Sequence, residues 1–157
     1  SNGRYAYWAY AISLFKKSPI IGIGWLGFRF NSGSLITGTN TGNIGYVDAH
    51  NVYIQLLCEN GILGFVFIVA VFVSLLSATI KFYFSNRDVL DGENTKMLAI
   101  ATAFQVFCLI YGLTGNFLYD RACFIYAFGC ALFLYVKNTF TRIDSMNYEG
   151  LERLQDE

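Results

Sequence analysis

A single histidine and a few arginines are the residues of this chain whose chemistry could support a reaction. His50 is the only histidine among 157 residues, and it follows Asp48 at the start of a helical pattern. An imidazole is well suited to act as a general base near neutral pH. Arginine carries a permanent, planar charge that pairs with phosphate oxygens, and the candidates are Arg4, Arg29 and Arg121. This combination favours transfer of a group from a diphosphate-linked lipid.

Other catalytic constellations are missing from the sequence. No nucleophile motif of the G-x-S-x-G kind accompanies the histidine. Asp48 and Glu59 lie about three helical turns apart, which does not suit the usual glycosidase acid–base pair. The four cysteines lack the close paired spacing of a metal site, so we expect no metal and interpret them as buried thiols. A net charge of zero, without a basic patch, gives no indication of a nucleic-acid partner.

The glycines near the N-terminus match a nucleotide-binding fingerprint by spacing alone. Gly22, Gly24 and Gly27 fit G-x-G-x-x-G, which requires a strand before it and a helix after it. Pro19 precedes the glycines and no helical pattern follows them, so we interpret the stretch as a turn that glycine permits. Residues 31–46 are rich in Gly, Asn, Ser and Thr, and we predict a long loop there.

The element that must position the histidine is a short amphipathic helix. Asp48 is its predicted N-cap. Asn51, Gln55 and Glu59 recur at i, i+4 and i+8, so they lie on one side of the helix, opposite an apolar side. Gly61 is predicted to end or bend the helix where a long apolar run begins.

The composition is that of a membrane protein. Hydrophobic residues make up 55 % of the chain and charged residues only 14 %, against about 25 % charged residues in soluble domains. Three apolar segments are predicted to span the membrane: 61–84, 97–115 and 117–136. A charged tail, residues 137–157, is expected to fray into solvent. The predicted fold class is thus an all-α membrane protein with about three transmembrane helices.

The basic residues give the chain an orientation. The 85–96 loop, its flank and the tail carry six of them, whereas the 116–121 turn carries only Arg121, so the positive-inside rule places the loop and tail in the cytoplasm and residues 1–60 outside it. Residues 1–60 carry four more, Arg4, Lys16, Lys17 and Arg29, which oppose this orientation and would need another explanation there, such as an anionic ligand. Residues 4–15 are rich in Tyr and Trp and suit a helix at the membrane interface, with a solvated Arg4 as the plainer alternative. Asp120–Arg121, near the outer interface, is either a functional pair or a structural one. The chain begins with Ser, and we expect it to be the C-terminal part of a longer polytopic protein.

Three motifs, in their order and spacing, resemble the C-terminal half of the O-antigen ligase/O-antigen polymerase (Wzy_C-like) superfamily. They are Gly3-Arg4-x-x-x-Trp8, Ser18-Pro19-Ile20-Ile21-Gly22-Ile23-Gly24, and His50-Asn51-x-Tyr53-x-x-x-x-x-Glu59-x-Gly61-Ile62-Leu63-Gly64. The later Gly112-Leu113-Thr114-Gly115-Asn116 also resembles the penultimate span of that superfamily. The resemblance implies a multi-pass enzyme of the bacterial inner membrane with a large periplasmic or extracellular loop. Such enzymes transfer glycan from an undecaprenyl-diphosphate carrier to an acceptor hydroxyl, without nucleotide sugar, metal or other cofactor.

The resemblance also implies roles for individual residues. His50 and Arg4 would be catalytic: His50 would take the proton of the acceptor hydroxyl or orient it, and Arg4 would grip the diphosphate. Asn51 and Glu59 would hydrogen-bond sugar or hold His50. The implied partners are the lipid-linked donor, a glycan or lipid acceptor, membrane lipid and the rest of the polytopic protein. The residues expected to bind substrate are Arg29, Asn51, Tyr53, Glu59 and Arg121.

Two questions stay open at the level of sequence. Ligases of this superfamily often carry a Ser between the His and Asn of the motif, whereas His50 is followed directly by Asn51, which slightly favours a polymerase. The second question is whether the chain is an enzyme at all, since the alternative is a non-enzymatic transporter or lipid-binding protein whose outer loop is a gate. A third possibility is a structural subunit that docks a partner through residues 31–46. A gate should tolerate Asn or Gln at position 50, while a general base should not.

Overall fold

A computed structural model describes the backbone of residues 2–37 and 47–155, and the side chains of residues 4–32 and 47–142. Helices form nearly all of the regular structure in these ranges. They are α1 (Asn2–Lys17), α2 (Gly27–Thr37), α3 (Val52–Asn86), α4 (Gly92–Tyr111) and α5 (Cys123–Gln155), with a 3-10 turn at Phe117–Tyr119.

Three helices are long and apolar enough to cross a membrane, which confirms the predicted fold class. They are Val52–Asn86, Gly92–Tyr111 and, within α5, Cys123–Arg142, and each contains an 18-residue stretch whose mean hydropathy is 2.6, 1.3 and 1.4, respectively. The segment between α4 and α5 is longer than predicted, because α4 ends before Gly112 and Gly115 and α5 does not begin until Cys123.

The prediction that the charged tail frays into solvent is wrong for its backbone up to Gln155. α5 continues without interruption to Gln155. The tail carries no proline and only one glycine, Gly150. Most of its other residues tolerate a helical backbone at a cost below about 0.7 kcal/mol each. The high charge of this segment is therefore a poor guide to its backbone.

The chain divides into two compact units. The first comprises Ser1–Ser74 and Phe107–Cys123, and the second Leu75–Val106 and Phe124–Glu157. Within the second unit the helices pack around a buried apolar cluster and a buried polar pair, Gln105 Nε2 donating to Thr79 Oγ1 at 3.1 Å. The cluster consists of Leu98, Ala101, Phe133 and Val136.

The first unit contains the predicted catalytic region. Its core joins Ala11 and Leu14 of α1, Phe28 of α2, and Ala49 and Cys58. All five are at most 3 % exposed. This core therefore packs α1 and α2 against the segment that carries the histidine.

α3 bends at Gly61, as the sequence predicts. This glycine has φ 63° and ψ −171°, far from helical values. In a straight helix the N–H groups of Ile62 and Leu63 would donate to the carbonyls four residues earlier, those of Cys58 and Glu59. The bend opens both hydrogen bonds and would leave four backbone groups without partners, which is costly where water is scarce.

The glycine-rich turn before α2 satisfies all four groups. Ile23 N donates to Cys58 O at 3.2 Å and Gly24 N donates to Glu59 O at 2.9 Å. In return, Ile62 N donates to Pro19 O at 2.9 Å and Leu63 N donates to Ile20 O at 3.3 Å. The glycine motif thus docks a turn into the bend of α3.

Two glycines are required for this close approach. A Cβ on Gly22 would lie 2.2 Å from the Glu59 carbonyl oxygen, and a Cβ on Gly61 would lie 2.3 Å from the Ile20 carbonyl oxygen. Both residues also have positive φ, which other residues adopt at a cost. The structure therefore gives the glycines a packing role, in keeping with the predicted turn.

The prediction that no helix follows the glycines is wrong. α2 begins at Gly27 and covers residues 31–37 of the expected loop, while residues 38–46 lie outside the described residues. The local sequence lacks a capping residue for this helix. Glu59 instead accepts from the N–H of Leu26, just before the helix, and from that of Phe28 in its first turn, although it is 31 residues from Phe28 along the chain.

Candidate functional site

Glu59 is the centre of a polar network beneath the candidate site. It is fully buried and accepts four hydrogen bonds. Oε1 accepts from Phe28 N and Gln55 Nε2, both at 3.1 Å. Oε2 accepts from Leu26 N at 3.0 Å and from the Tyr119 hydroxyl at 2.6 Å. A carboxylate offers about four lone-pair positions, so Glu59 is fully engaged within the protein.

Gln55 extends the network toward the histidine. Its Oε1 accepts from Ala49 N at 3.0 Å and from Asn116 Nδ2 at 2.6 Å. Its Nε2 donates to Asp48 Oδ1 at 3.2 Å and to Glu59. The buried amide therefore uses both oxygen lone pairs and both protons, and it fixes the segment just before the histidine to α3.

Arg29 and Asp48 form a bidentate ion pair at the edge of this network. Arg29 Nε and Nη2 donate to the two Asp48 oxygens, each at 2.7 Å. Arg29 Nη2 also donates to the Tyr119 carbonyl at 3.2 Å. The hydrogen bonds to Asp48 raise the pKa of Arg29 above its usual value, although partial burial opposes them. Arg29 is thus charged, but its charge is neutralised by Asp48.

Tyr119 remains a neutral hydrogen-bond donor. Burial raises the pKa of its hydroxyl far above the ordinary value, and the nearby charge of Glu59 and the hydrogen bond to it act in the same direction. The phenol therefore stays protonated and donates a hydrogen bond to Glu59.

His50 has a strained backbone conformation just before α3. Its φ of 51° lies in the left-handed region, which is uncommon for residues other than glycine. The preceding residue, Ala49, is held on both sides: its N–H by Gln55 and its carbonyl by Trp8 Nε1 at 2.8 Å. Strained residues persist only where their surroundings fix them, and such residues concentrate at functional sites.

The residue that caps α3 is Asn51, and the prediction of Asp48 as the cap is wrong. Asn51 Oδ1 accepts from Tyr53 N and Ile54 N, each at 3.0 Å, and Asn51 Nδ2 donates to Leu113 O at 3.1 Å. Asp48 is engaged with Arg29 instead. The histidine therefore precedes the helix rather than lying in its first turn.

We expect Asn51→Ala to destabilise the first unit by about 1–2 kcal/mol, the usual cost of losing an N-cap. Asn51→Asp keeps the capping oxygen and should retain most of that stability. Thermal unfolding in detergent measures both variants. Equal melting temperatures for the two would contradict the capping role and favour the predicted contact with sugar.

Arg4 and His50 lie on the same part of the unit. The His50 ring is 6.4 Å from the Tyr7 ring, measured between centroids, and Trp8 donates to the residue before His50. Arg4 is one helical turn earlier on α1. Both predicted catalytic side chains are exposed, and neither forms a hydrogen bond or ion pair with a side chain in the described part of the protein.

The remaining residues predicted to bind substrate or to form a functional pair differ in how far contacts within the protein engage their polar groups. The Tyr53 hydroxyl donates to Leu109 O at 2.7 Å. Asp120 accepts from the Tyr111 hydroxyl at 3.3 Å and from Ala122 N at 2.7 Å. It forms no ion pair with Arg121, which is exposed and has no ion-pair partner among residues 4–32 and 47–142.

Sequence reasoning missed several members of this network. Gln55 lies on the predicted polar side of the helix, and that pattern was the one available signal. Asn116 ends the Gly112–Asn116 stretch that resembles the superfamily, but that resemblance does not indicate its contact with Gln55, 61 residues away. Tyr119 and Trp25 carry no local pattern, because Tyr119 is 60 residues from its partner Glu59 and Trp25 stacks on the equally distant Tyr119 ring.

Comparison with known proteins gives a match for the N-terminal part of the chain. Residues 1–69 match the model of the protein family described as O-antigen ligase. The match covers α1, α2 and the first part of α3, and so includes the bend and the histidine. No curated protein and no solved structure matches the chain.

Proposed function

We propose, from the match of residues 1–69 to the O-antigen ligase family, that the chain carries an active-site region of a bacterial membrane enzyme that transfers lipid-linked glycan. The donor in this proposal is an undecaprenyl-diphosphate-linked glycan, and the acceptor is a hydroxyl of a glycan or a lipid. In this proposal the region lies on the periplasmic or outer side of the inner membrane, an orientation that the basic residues of the 85–96 loop and the tail favour. A polymerase is slightly favoured over a ligase.

The observation that carries this proposal is that the side chain of His50 is exposed while its backbone is fixed by its surroundings. Its neighbours use their hydrogen-bonding groups within the protein, whereas its imidazole is exposed and held in place by a fixed, strained backbone. A general base has to reach a proton on the substrate while its backbone remains in position. His50 meets both requirements.

Arg4 suits the donor side of the same step. It is exposed and lies one turn from the residues that contact positions 49 and 50. Among the side chains of residues 4–32 and 47–142 its guanidinium has no ion-pair partner, so it can bind two oxygens of a diphosphate and stabilise the charge that develops on it. Arg29 suits this task less well, because Asp48 already neutralises it.

The proposed step is a displacement at the anomeric carbon. The acceptor oxygen forms a bond to that carbon while the bond from the carbon to the diphosphate oxygen breaks. His50 takes the hydroxyl proton, and the bonding electron pair leaves with the lipid diphosphate, whose charge Arg4 stabilises. In this proposal no metal ion takes part, because the arginine supplies the positive charge.

The test is one gel of envelope glycan and lipid-linked intermediates from cells that carry the full-length protein with His50→Ala. Loss of a general base lowers turnover by about 10²–10⁴-fold. A single lipid-linked repeat that accumulates without a polymer ladder would identify a polymerase. Long polymer retained on its carrier would identify a ligase.

Matched variants separate chemistry from folding. Arg4→Ala should give the same pattern as His50→Ala, whereas Lys16→Ala removes an exposed charge from the same helix and should leave the pattern normal. A normal pattern from stably inserted His50→Ala protein would remove His50 from the mechanism and favour a gating or docking role for the loop.

A further inference from the structure

Trp8 links α1 to the residue that precedes the histidine. Its indole N–H donates to the Ala49 carbonyl at 2.8 Å, although the two residues are 41 positions apart along the chain. The ring is half-buried against the apolar core of the first unit, and it makes a T-shaped contact with the Tyr5 ring, with centroids 5.5 Å apart. An indole has a single N–H, so this packing fixes the direction in which the donor points.

The hydrogen bond from Trp8 acts on the torsion that is strained at His50. The φ angle of His50 describes rotation of the planar Ala49–His50 peptide about the N–Cα bond. The Ala49 carbonyl oxygen lies in that plane, so a donor that holds this oxygen also holds φ. On the other side of the torsion, Asn51 caps α3 and donates to the Leu113 carbonyl. Trp8 and Asn51 therefore hold the φ of 51° from its two ends.

The contact from Gln55 restrains a different peptide. Gln55 Oε1 accepts from Ala49 N, which belongs to the peptide between Asp48 and Ala49. The next peptide could rotate toward the negative φ values that residues with a side chain prefer and leave that hydrogen bond in place. Loss of the Trp8 donor would thus let the backbone of His50 relax even while the network around Glu59 stays intact.

We propose that Trp8 is a positioning residue that holds His50 against the helix that carries Arg4. The inference rests on the proposed function, in which His50 and Arg4 are catalytic. Arg4 and Trp8 are four residues apart on α1, so they are neighbours on one face of the helix. The Tyr7 ring, from the same turn as Trp8, lies 6.4 Å from the imidazole ring between centroids. One turn of α1 thus carries the residue proposed to grip the donor, and the next turn anchors the residue proposed to activate the acceptor.

Loss of the indole N–H should slow turnover rather than weaken binding of the donor. A misplacement of about 1 Å at a reacting group can slow a reaction about 10²-fold. The arginine proposed to bind the diphosphate keeps its place on α1. We therefore expect kcat to fall about 10- to 100-fold, while KM for the donor changes by less than about twofold.

The experiment measures transfer by the full-length protein in phosphatidylcholine nanodiscs. The substrates are the lipid-linked glycan and the acceptor extracted from the organism that makes the protein. Position 8 is filled in turn by phenylalanine, by 3-benzothienylalanine, which has the shape of tryptophan but sulfur in place of the N–H, and by 5-fluorotryptophan, which keeps the N–H. Phenylalanine also loses packing, whereas the benzothienyl ring retains it. We expect the loss of kcat in the first two proteins and wild-type kcat in the third.

Two further proteins distinguish positioning from a merely structural role. Tyr10→Phe removes a hydrogen bond of the same kind from the same helix, since the Tyr10 hydroxyl donates to the Asn31 carbonyl at 2.9 Å. It should leave kcat and KM unchanged. In a His50→Ala background, the benzothienyl replacement should lower the residual rate by less than about twofold, because no imidazole remains to be positioned.

Three results would overturn the role of Trp8. They are wild-type kcat in the benzothienyl protein, a raised donor KM at unchanged kcat, and an equal loss of rate with and without the imidazole. If His50→Ala has no measurable rate, the difference between the benzothienyl and fluorotryptophan proteins decides. If His50→Ala transfers like the wild type, the proposed function fails as well, whereas wild-type kcat in the benzothienyl protein alone leaves that function standing.

Discussion

Gly61→Ala is expected to destabilise the first unit on the order of 4 kcal/mol, a large part of the stability of a typical domain. Two costs add at this position. The new Cβ would lie 2.3 Å from the Ile20 carbonyl oxygen, so the docked turn must move and its backbone hydrogen bonds must weaken. The residue must also keep φ near 63°, which alanine adopts at a cost of about 1–2 kcal/mol.

Two other glycines separate these costs. Gly24 has φ 94° and no atom within 4 Å of the place that a Cβ would occupy, so Gly24→Ala should show the conformational cost alone. Gly92, at the start of α4, has open space and no positive φ, so Gly92→Ala should change stability by less than about 0.5 kcal/mol. Thermal unfolding of the three variants in one detergent gives the comparison. A Gly61→Ala protein as stable as Gly92→Ala would show that the turn is not docked in the bend.

The second large effect is expected from Glu59→Gln, which should cost about 2–4 kcal/mol and abolish transfer. Glu59 accepts four hydrogen bonds, from two backbone N–H groups, the Tyr119 hydroxyl and Gln55 Nε2, and the last of these also donates to Asp48. A glutamine accepts at only one of the two oxygen positions. Whichever way the amide is turned, its NH₂ group faces a backbone N–H of Leu26 or Phe28. At least one buried donor then lacks a partner.

Glu93→Gln is the matched control for this change. Glu93 carries the same carboxylate on the exposed start of α4, where its pair with Lys96 is open to solvent. Pairs of this kind contribute little to stability. Melting temperature and the glycan gel should therefore be unchanged in Glu93→Gln. If Glu59→Gln also melts and transfers like the wild type, the network does not organise the site.

The two predictions test one idea about how the unit works. The bend at Gly61 and the carboxylate of Glu59 both tie the turn before α2 to α3, one through backbone groups and the other through a side chain. Through Gln55 the same ties reach the strained residue His50. A defect at the bend should therefore reduce transfer even though it lies about three helical turns from the histidine.

Much of the architecture can be predicted from the sequence because it depends on local composition. The apolar segments are long enough to be membrane helices by count of residues alone, and the bend at Gly61 follows from a glycine after Asn60. The order and spacing of the three motifs indicate the family that residues 1–69 match. Each of these signals lies within a short stretch of chain.

The sequence misleads where a distant group replaces a local one. It predicts a loop where α2 forms, because the capping group of α2 is Glu59, far along the chain, rather than a residue beside it. Asp48 has the right type and place for an N-cap, yet a bidentate pair with Arg29 engages it, and Asn51 caps the helix. Propensity cannot choose between these arrangements, since tertiary hydrogen bonds decide which one forms.

The candidate site likewise has residues that the sequence alone indicates and contacts that only the tertiary structure shows. Residue types and motif spacing are enough to single out His50 and Arg4, whose proposed roles need only exposure and chemistry. The neutralisation of Arg29, the saturation of Glu59 and the open indole of Trp25 depend on contacts between segments that are far apart in the sequence. Periodicity does not encode such contacts, because they arise only when the turn before α2, the bend of α3 and the segment after α4 come together.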